Sequence, residues 1–140
     1  MENTLNYQQV CEEVCRLAQQ VGIWLCSERQ HLSSVNMEVK GVHDYVTQFD
    51  KQSEKTIVGR LKELVPGCGF IAEEKTETVL ADRFNWIVDP LDGTTNFIHG
   101  LPPTAISIAL REKEEIVIGV VYEIWRKECF YAYKGGKAYM

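Results

Sequence analysis

The apolar residues of this chain change their period at Pro66-Gly67-Cys68-Gly69, and that change limits the possible folds more than any other feature. Before it, from about Asn6 to Gln30, Val10, Val14, Leu17, Val21 and Trp24 or Leu25 step by three and four, as one face of an amphipathic helix does. Asn6 and Gln9 stand where a helix-capping pair would stand. A second helix is expected from about Asp50 to Leu64, with Ile57, Leu61 and Leu64 facing inward and Pro66-Gly67 stopping it. Between the two, His31 to His43 is polar and mixed, and reads as a loop or an irregular strand.

After Gly69 the chain breaks into short runs rich in aromatic and β-branched residues: Phe70 to Ala72, Phe84 to Asp89, Ala105 to Leu110, Ile116 to Tyr122 and Glu128 to Tyr133. Turn residues separate them, so they are expected to be strands. Trp86-Ile87-Val88 is apolar without alternation, the pattern of a central strand covered on both faces. Gly135-Gly136 is a turn, and Ala138-Tyr139-Met140 opens a further strand. The expected class is α+β, two helices packed on a mainly antiparallel sheet. A hairpin that has only begun leaves an edge open to a neighbour, which predicts self-association or a homodimer through the sheet edge.

Composition narrows the partners. With 15 Lys and Arg against 20 Asp and Glu, a net charge of −5 and no basic cluster, a nucleic-acid partner is not expected, because binding to phosphate backbones rests on cationic side chains. No apolar run approaches the length of a spanning helix and the N-terminus lacks a signal-peptide layout, so no membrane partner and a cytoplasmic location are expected. The five cysteines, Cys11, Cys15, Cys26, Cys68 and Cys129, form no C-x-x-C pair and read as reduced thiols. Cys11, Cys15 and Cys26 fall near one face of the first helix.

The chemistry concentrates in Asp89-Pro-Leu-Asp-Gly-Thr-Thr-Asn96, two carboxylates three residues apart after an apolar strand. Pro90 turns the chain, Gly93 allows a conformation and a close approach that a Cβ would block, and Thr94, Thr95 and Asn96 favour a helix start whose N–H groups suit an anion. An isolated Asp-Gly-Thr is usually only a turn. Here a second short strand, Phe70-Ile-Ala-Glu-Glu74, also ends in carboxylates, and together Glu73, Glu74, Asp89 and Asp92 form a candidate acidic pocket. Two carboxylates ~4 Å apart repel by about 4 kcal/mol at an effective dielectric of ~20, so three converging ones cost on the order of 10 kcal/mol. That rivals a domain's whole stability of about 5–15 kcal/mol. The groups therefore point apart, or protons or a cation compensate; an all-oxygen site selects a hard ion such as Mg²⁺.

These strings resemble the inositol monophosphatase family of Mg²⁺-dependent, Li⁺-sensitive phosphatases. Asp89 to Phe97 is similar to its metal-binding signature, Phe70 to Glu74 to its Gly-Glu-Glu element with Ala72 in place of Gly, and Asp44-Tyr-Val-Thr-Gln-Phe-Asp50 to its D-x-V-T-x-x-D segment. Trp86 to Asp89 and Gly119 to Tyr122 follow in the expected order. The resemblance implies the layered fold of inositol monophosphatases and fructose-bisphosphatases, and hydrolysis of inositol monophosphate or a related small phosphate ester by metal-activated water attack. It implies that Glu73, Asp89 and the Leu91 carbonyl hold a first Mg²⁺ and that Asp89 with Asp92 begins a second site. By the same resemblance Gly93, Thr94 and Thr95 receive the phosphate, Thr94 oriented by Asp50 acts with Glu73 on the attacking water, and Lys40 and Glu74 lie near the active-site mouth.

The family's later W-D-x-A-A-G-like motif has no counterpart, since Trp24, Trp86 and Trp125 each precede a residue other than Asp. Residues 1–140 therefore look like the N-terminal metal- and phosphate-binding domain without its C-terminal domain. The alternative expectation is a catalytically weak or inactive module that binds metal and phosphate and self-associates. Competing motifs fit poorly: Gly67 to Ala72 matches G-x-G-x-x-A but leads into a strand, and the D-x-x-D spacing differs from the D-x-D of haloacid-dehalogenase-type phosphatases.

Overall fold

The computed structural model describes residues 5–33, 39–72 and 79–140, and within them every side chain except those of residues 32, 33, 39–44 and 72. Two long helices, α1 (Tyr7–Ser33) and α2 (Val39–Leu64), precede strands β1 (Gly69–Ala72) and β2 (Phe84–Asp92). A short helix α3 (Thr94–His99) then leads into β3 (Ala105–Glu112), β4 (Glu115–Glu123), β5 (Glu128–Tyr133) and β6 (Ala138–Tyr139). The strands form one sheet in sequence order, β1 parallel to β2 and every later neighbour antiparallel. This is the expected α+β layer.

The Asn6 side chain accepts from the Gln9 N–H at 3.0 Å, which fixes the start of α1. Val10, Val14, Leu17, Val21 and Leu25 are all buried along it. α1 packs on β3, β4 and β5, and α2 lies beside it over β2. Trp86, Phe70, Ile57, Leu61, Ile106, Ile108, Leu110 and Ile118 fill the space between helices and sheet.

Two expectations are corrected. The stretch His31 to His43 is not a loop throughout: α1 continues to Ser33 and α2 begins at Val39, eleven residues before Asp50. Val46 and Phe49 are buried in step with Ser53 and Ile57, so the inward stripe of α2 extends upstream of the apolar run that marks its second half. The second correction concerns Trp86-Ile87-Val88. Trp86 and Val88 are buried, but Ile87 is 36% exposed, because the helices cover only one face of the sheet. On the other face Ile87 joins Val121 and Phe130, which are also exposed. Ala109, Gly119, Ala132 and Ala138 lie in register across this face, leaving a shallow floor of small residues between larger ones. The last segment does pair as a strand, and among the described residues β6 comes last in the order of the sheet.

Candidate active site

The site grows out of an irregularity in β2. Asp89 pairs with Ser107 and Asp92 with Ala105, so three steps along β2 match two along β3. That is a β-bulge of one extra residue. Residues three apart on a regular strand face opposite ways, whereas Ser107 and Ala105, two apart, share a face. The bulge thus sets both carboxylates against the same side of β3. Pro90 and Leu91, the residues between them, are buried, while Asp89 is half-buried and Asp92 exposed. The Leu91 N–H lies 3.4 Å from Asp89 Oδ1, a bond of the carboxylate to its own turn.

Gly93 follows at φ 89° and ψ 44°, in the left-handed region. A Cβ built there would sit 2.6 Å from the Pro103 carbonyl oxygen, so both backbone conformation and space call for glycine. α3 begins at the next residue, with no side chain capping its N-terminus. Its first internal bond runs from the Phe97 N–H to the Gly93 carbonyl at 2.9 Å. At the other end Gly100 takes φ 69°, its N–H donates to Phe97 O at 3.0 Å, and the Leu101 N–H donates to Asn96 O at 2.9 Å. This is a Schellman ending.

Several distant residues hold this small helix. Arg29, near the end of α1, donates from Nε to the Phe97 and Ile98 carbonyls at 3.0 and 2.9 Å, placing a cation at the negative end of α3. Phe97 is fully buried and stacks on Trp125 at a centroid distance of 6.2 Å. The Trp125 indole N–H donates to Thr104 Oγ1 at 3.2 Å, and that hydroxyl donates to Leu101 O at 3.0 Å. The buried Glu123 carboxylate accepts the Thr104 N–H at 2.7 Å and the Arg126 N–H at 2.6 Å. Asn96 Nδ2 reaches Pro103 O at 2.9 Å, the same carbonyl that crowds Gly93. Arg29, Thr104, Glu123 and Trp125 carry no local sequence signal of this role, since their partners lie 3 to 69 residues away and belong to other elements in most cases.

Asp89, Leu91, Asp92, Gly93, Thr94 and Thr95 are brought together in one turn between β2 and α3. Asp50 is half-buried on α2, which packs on β2 and touches α3. Lys40 falls in the first turn of α2, with its side chain outside the described set. β1 ends at Ala72 in register with Val88, one residue before Asp89; Glu73 and Glu74 lie outside the described residues. Among the described residues no three metal-ligating side chains converge. The donors present near the bulge are all oxygens, two carboxylates and the backbone carbonyl of Leu91, with no cysteine or histidine in Asp89 to Thr95. This donor chemistry suits a hard divalent cation.

The model of the inositol monophosphatase family matches residues 6–140. Inositol-1-monophosphatase of Mesorhizobium japonicum is 40% identical over 124 residues, covering 88% of this chain and 47% of the relative. Nus factor SuhB of Salmonella typhimurium is 39% identical over 121 residues, covering 86% and 45%. The crystal structure of extragenic suppressor protein suhB from Bartonella henselae superimposes with a TM-score of 0.75 at 37% identity, covering 94% of this chain and 50% of that one. The chain spans about half the length of the relatives it matches.

Proposed function

Because the chain belongs to the inositol monophosphatase family, we propose that it carries the metal- and phosphate-binding half of a Mg²⁺-dependent phosphomonoesterase acting on inositol monophosphate or a related small phosphate ester. The β-bulge supports this reading most directly: it sets Asp89 and Asp92 against one side of β3, immediately before a helix start that no side chain caps. Glu73, Asp89 and the Leu91 carbonyl would hold a first ion, and Asp89 with Asp92 would begin a second site. Bound there, Mg²⁺ would supply Lewis-acid charge neutralisation and a more acidic water.

The chain's own residues do the rest of the work. Gly93, Thr94 and Thr95 offer backbone N–H groups to phosphate oxygens, whose negative charge the start of α3 favours. Thr94, with Asp50 behind it, and Glu73 hold the protons of the attacking water. Lys40 and Glu74 border the mouth. Association of two copies along the β6 edge belongs to the same reading, as does a cytoplasmic location.

The deciding measurement is phosphate release from inositol monophosphate with and without Mg²⁺, in wild type and Asp89→Asn. Release should require Mg²⁺, vanish in the variant, and fall far below that of a two-domain relative. A parallel calorimetric titration with Mg²⁺ should give a weak isotherm in wild type and none in Asp89→Asn. Identical isotherms, or release indifferent to the substitution, would remove the site assignment.

A further inference from the structure

Where α1 and α2 run beside each other they leave a groove of about 250 Å³. Leu17, Val21 and Ser53 are buried at its floor, Trp24 stands half-buried at one side, and the exposed Gln20, Gln52 and Thr56 form the rim. An edge-on contact with Phe49 of α2 holds the Trp24 ring, with centroids 5.7 Å apart and planes at 86°. The indole is therefore a fixed wall of the groove.

One floor residue is out of keeping with its surroundings. A helical serine ordinarily points to water or bonds the carbonyl one turn back. Ser53 is 1% exposed, and its hydroxyl has no hydrogen-bond partner among the described residues. Burial has cost that hydroxyl its bonds to water, a loss that a ligand with a matching group makes good. Ser53 lines the groove, and rotation about its χ1 exchanges the hydroxyl among staggered positions.

The lining sets the chemistry of such a ligand. It contains no acidic or basic side chain. Beside it Arg16 bonds Glu13, and Arg60 bonds both Glu13 and Glu63, so these two cations already face two carboxylates. Lys51 and Lys55, beyond Gln52 and Thr56, are exposed to water. An ion entering the groove would exchange its hydration for Leu17, Val21 and Trp24 with no counter-charge among them, a cost that a neutral molecule does not carry. A cavity of ~150 Å³ with apolar walls admits benzene, so about 250 Å³ holds a ring with a short polar arm.

We propose that the groove between α1 and α2 binds a small neutral aromatic molecule carrying one hydroxyl group. The ring lies against Leu17, Val21 and Trp24, and the hydroxyl bonds Ser53, which can donate or accept. None of the lining residues belongs to the Asp89 turn, so this site is distinct from the one for phosphate and cation.

The test titrates benzyl alcohol into the ¹⁵N-labelled chain and follows amide correlation spectra. Saturable shifts are expected at the Val21, Ser53 and Thr56 amides and at the Trp24 indole N–H, with the amides of β3 and β4 unmoved. Ser53→Ala should weaken benzyl alcohol about fivefold and leave toluene unchanged. Because this substitution removes a buried polar group without a partner, the free variant should melt no lower than wild type. Thr56→Trp, at the exposed rim, should abolish the shifts while circular dichroism reports a native fold. Benzoate should bind more weakly than benzyl alcohol. Absence of shifts up to the solubility limit, shifts centred elsewhere, equal affinity in Ser53→Ala or in Thr56→Trp, benzoate binding as tightly, or a lower melting temperature in Ser53→Ala would overturn the proposal.

Discussion

Between the helix-covered face of the sheet and the turn that follows β2, different forces hold the chain. Under α1 and α2 the contacts are apolar and numerous: Trp86, Phe70, Ile106, Ile108 and Leu110 touch many neighbours, and no one distance defines them. Around Asp89 to His99 the holding contacts are directional, a left-handed glycine, a helix ending and hydrogen bonds from Arg29, Asn96, Thr104 and Trp125. Dispersion and hydrophobic burial sum over area, so the covered face holds most of the stability. Directional bonds contribute little each but fix positions, which is what a site for phosphate and a cation requires.

Trp86→Ala is the largest break on the covered side. The side chain is fully buried between α2 and the sheet, and its removal should cost about 3–5 kcal/mol in chemical denaturation. If the apolar face carries stability and the turn carries function, a stabilised background that restores folding should also restore Mg²⁺ binding. Loss of less than about 1 kcal/mol would mean that the core collapses around the gap.

Gly93→Ala strikes the other side of the comparison. The left-handed conformation and a Cβ only 2.6 Å from a backbone oxygen both oppose the substitution, and the strain should cost about 1–3 kcal/mol. Unlike the tryptophan, its effect on Mg²⁺ and phosphate binding should persist in a stabilised background, because the turn must move to admit the methyl group. Unchanged binding there would separate Gly93 from the site.

The same contrast explains what could be read from the chain in advance. The helices and strands were legible because burial imposes a period, and Val10 to Leu25 or Phe84 to Val88 display it over several repeats. The start of α2 was obscured because Lys40, Gly41, His43 and Asp44 make its opening turns polar, and Val46 and Phe49 are the early members of its inward stripe among the described side chains. The run Trp86 to Val88 read as doubly covered, yet Ile87 faces a side of the sheet that no described element covers. The turn itself was legible because its residues are contiguous. Its supports were not, since Arg29 reaches it across 68 residues and Glu123 reaches Thr104 across 19, and no local pattern records such pairs.

Arg29 tests whether those supports matter. Arg29→Ala removes two bonds to the end of α3 and the cation at its negative pole, a loss of about 1–2 kcal/mol at a partly buried helix terminus. The effect should be local: amide exchange at Gly100 and Leu101, which close the helix, should accelerate far more than exchange in β3 or β4. Uniform acceleration across the sheet would place Arg29 with the core instead.

The smallest effect belongs to the opposite end of α1, where Tyr7 donates to Glu112 and Arg83 Nε donates to the same carboxylate at 2.8 Å. The Tyr7 hydrogen bond first, and the Arg83 bond second, hold Glu112 below its ordinary value of 4.5, while the same Tyr7 bond raises the phenol above 10.0. A carboxylate whose folded titration is depressed stabilises the fold fully above its unfolded value and loses that contribution as pH falls through the folded one. A phenol raised in the fold stabilises it below its unfolded value and loses that contribution as pH climbs through the folded one. One bond therefore weakens at both ends of the scale, below about pH 4.5 and above about pH 10. Arg83 is 39% exposed and solvent screens its charge, so the total is small. Glu112→Gln should flatten the acid limb, reduce the alkaline one and leave Mg²⁺ binding unaltered, and Tyr7→Phe should flatten the alkaline limb and reduce the acid one. An acid limb unchanged in Glu112→Gln would assign that pH dependence to other carboxylates.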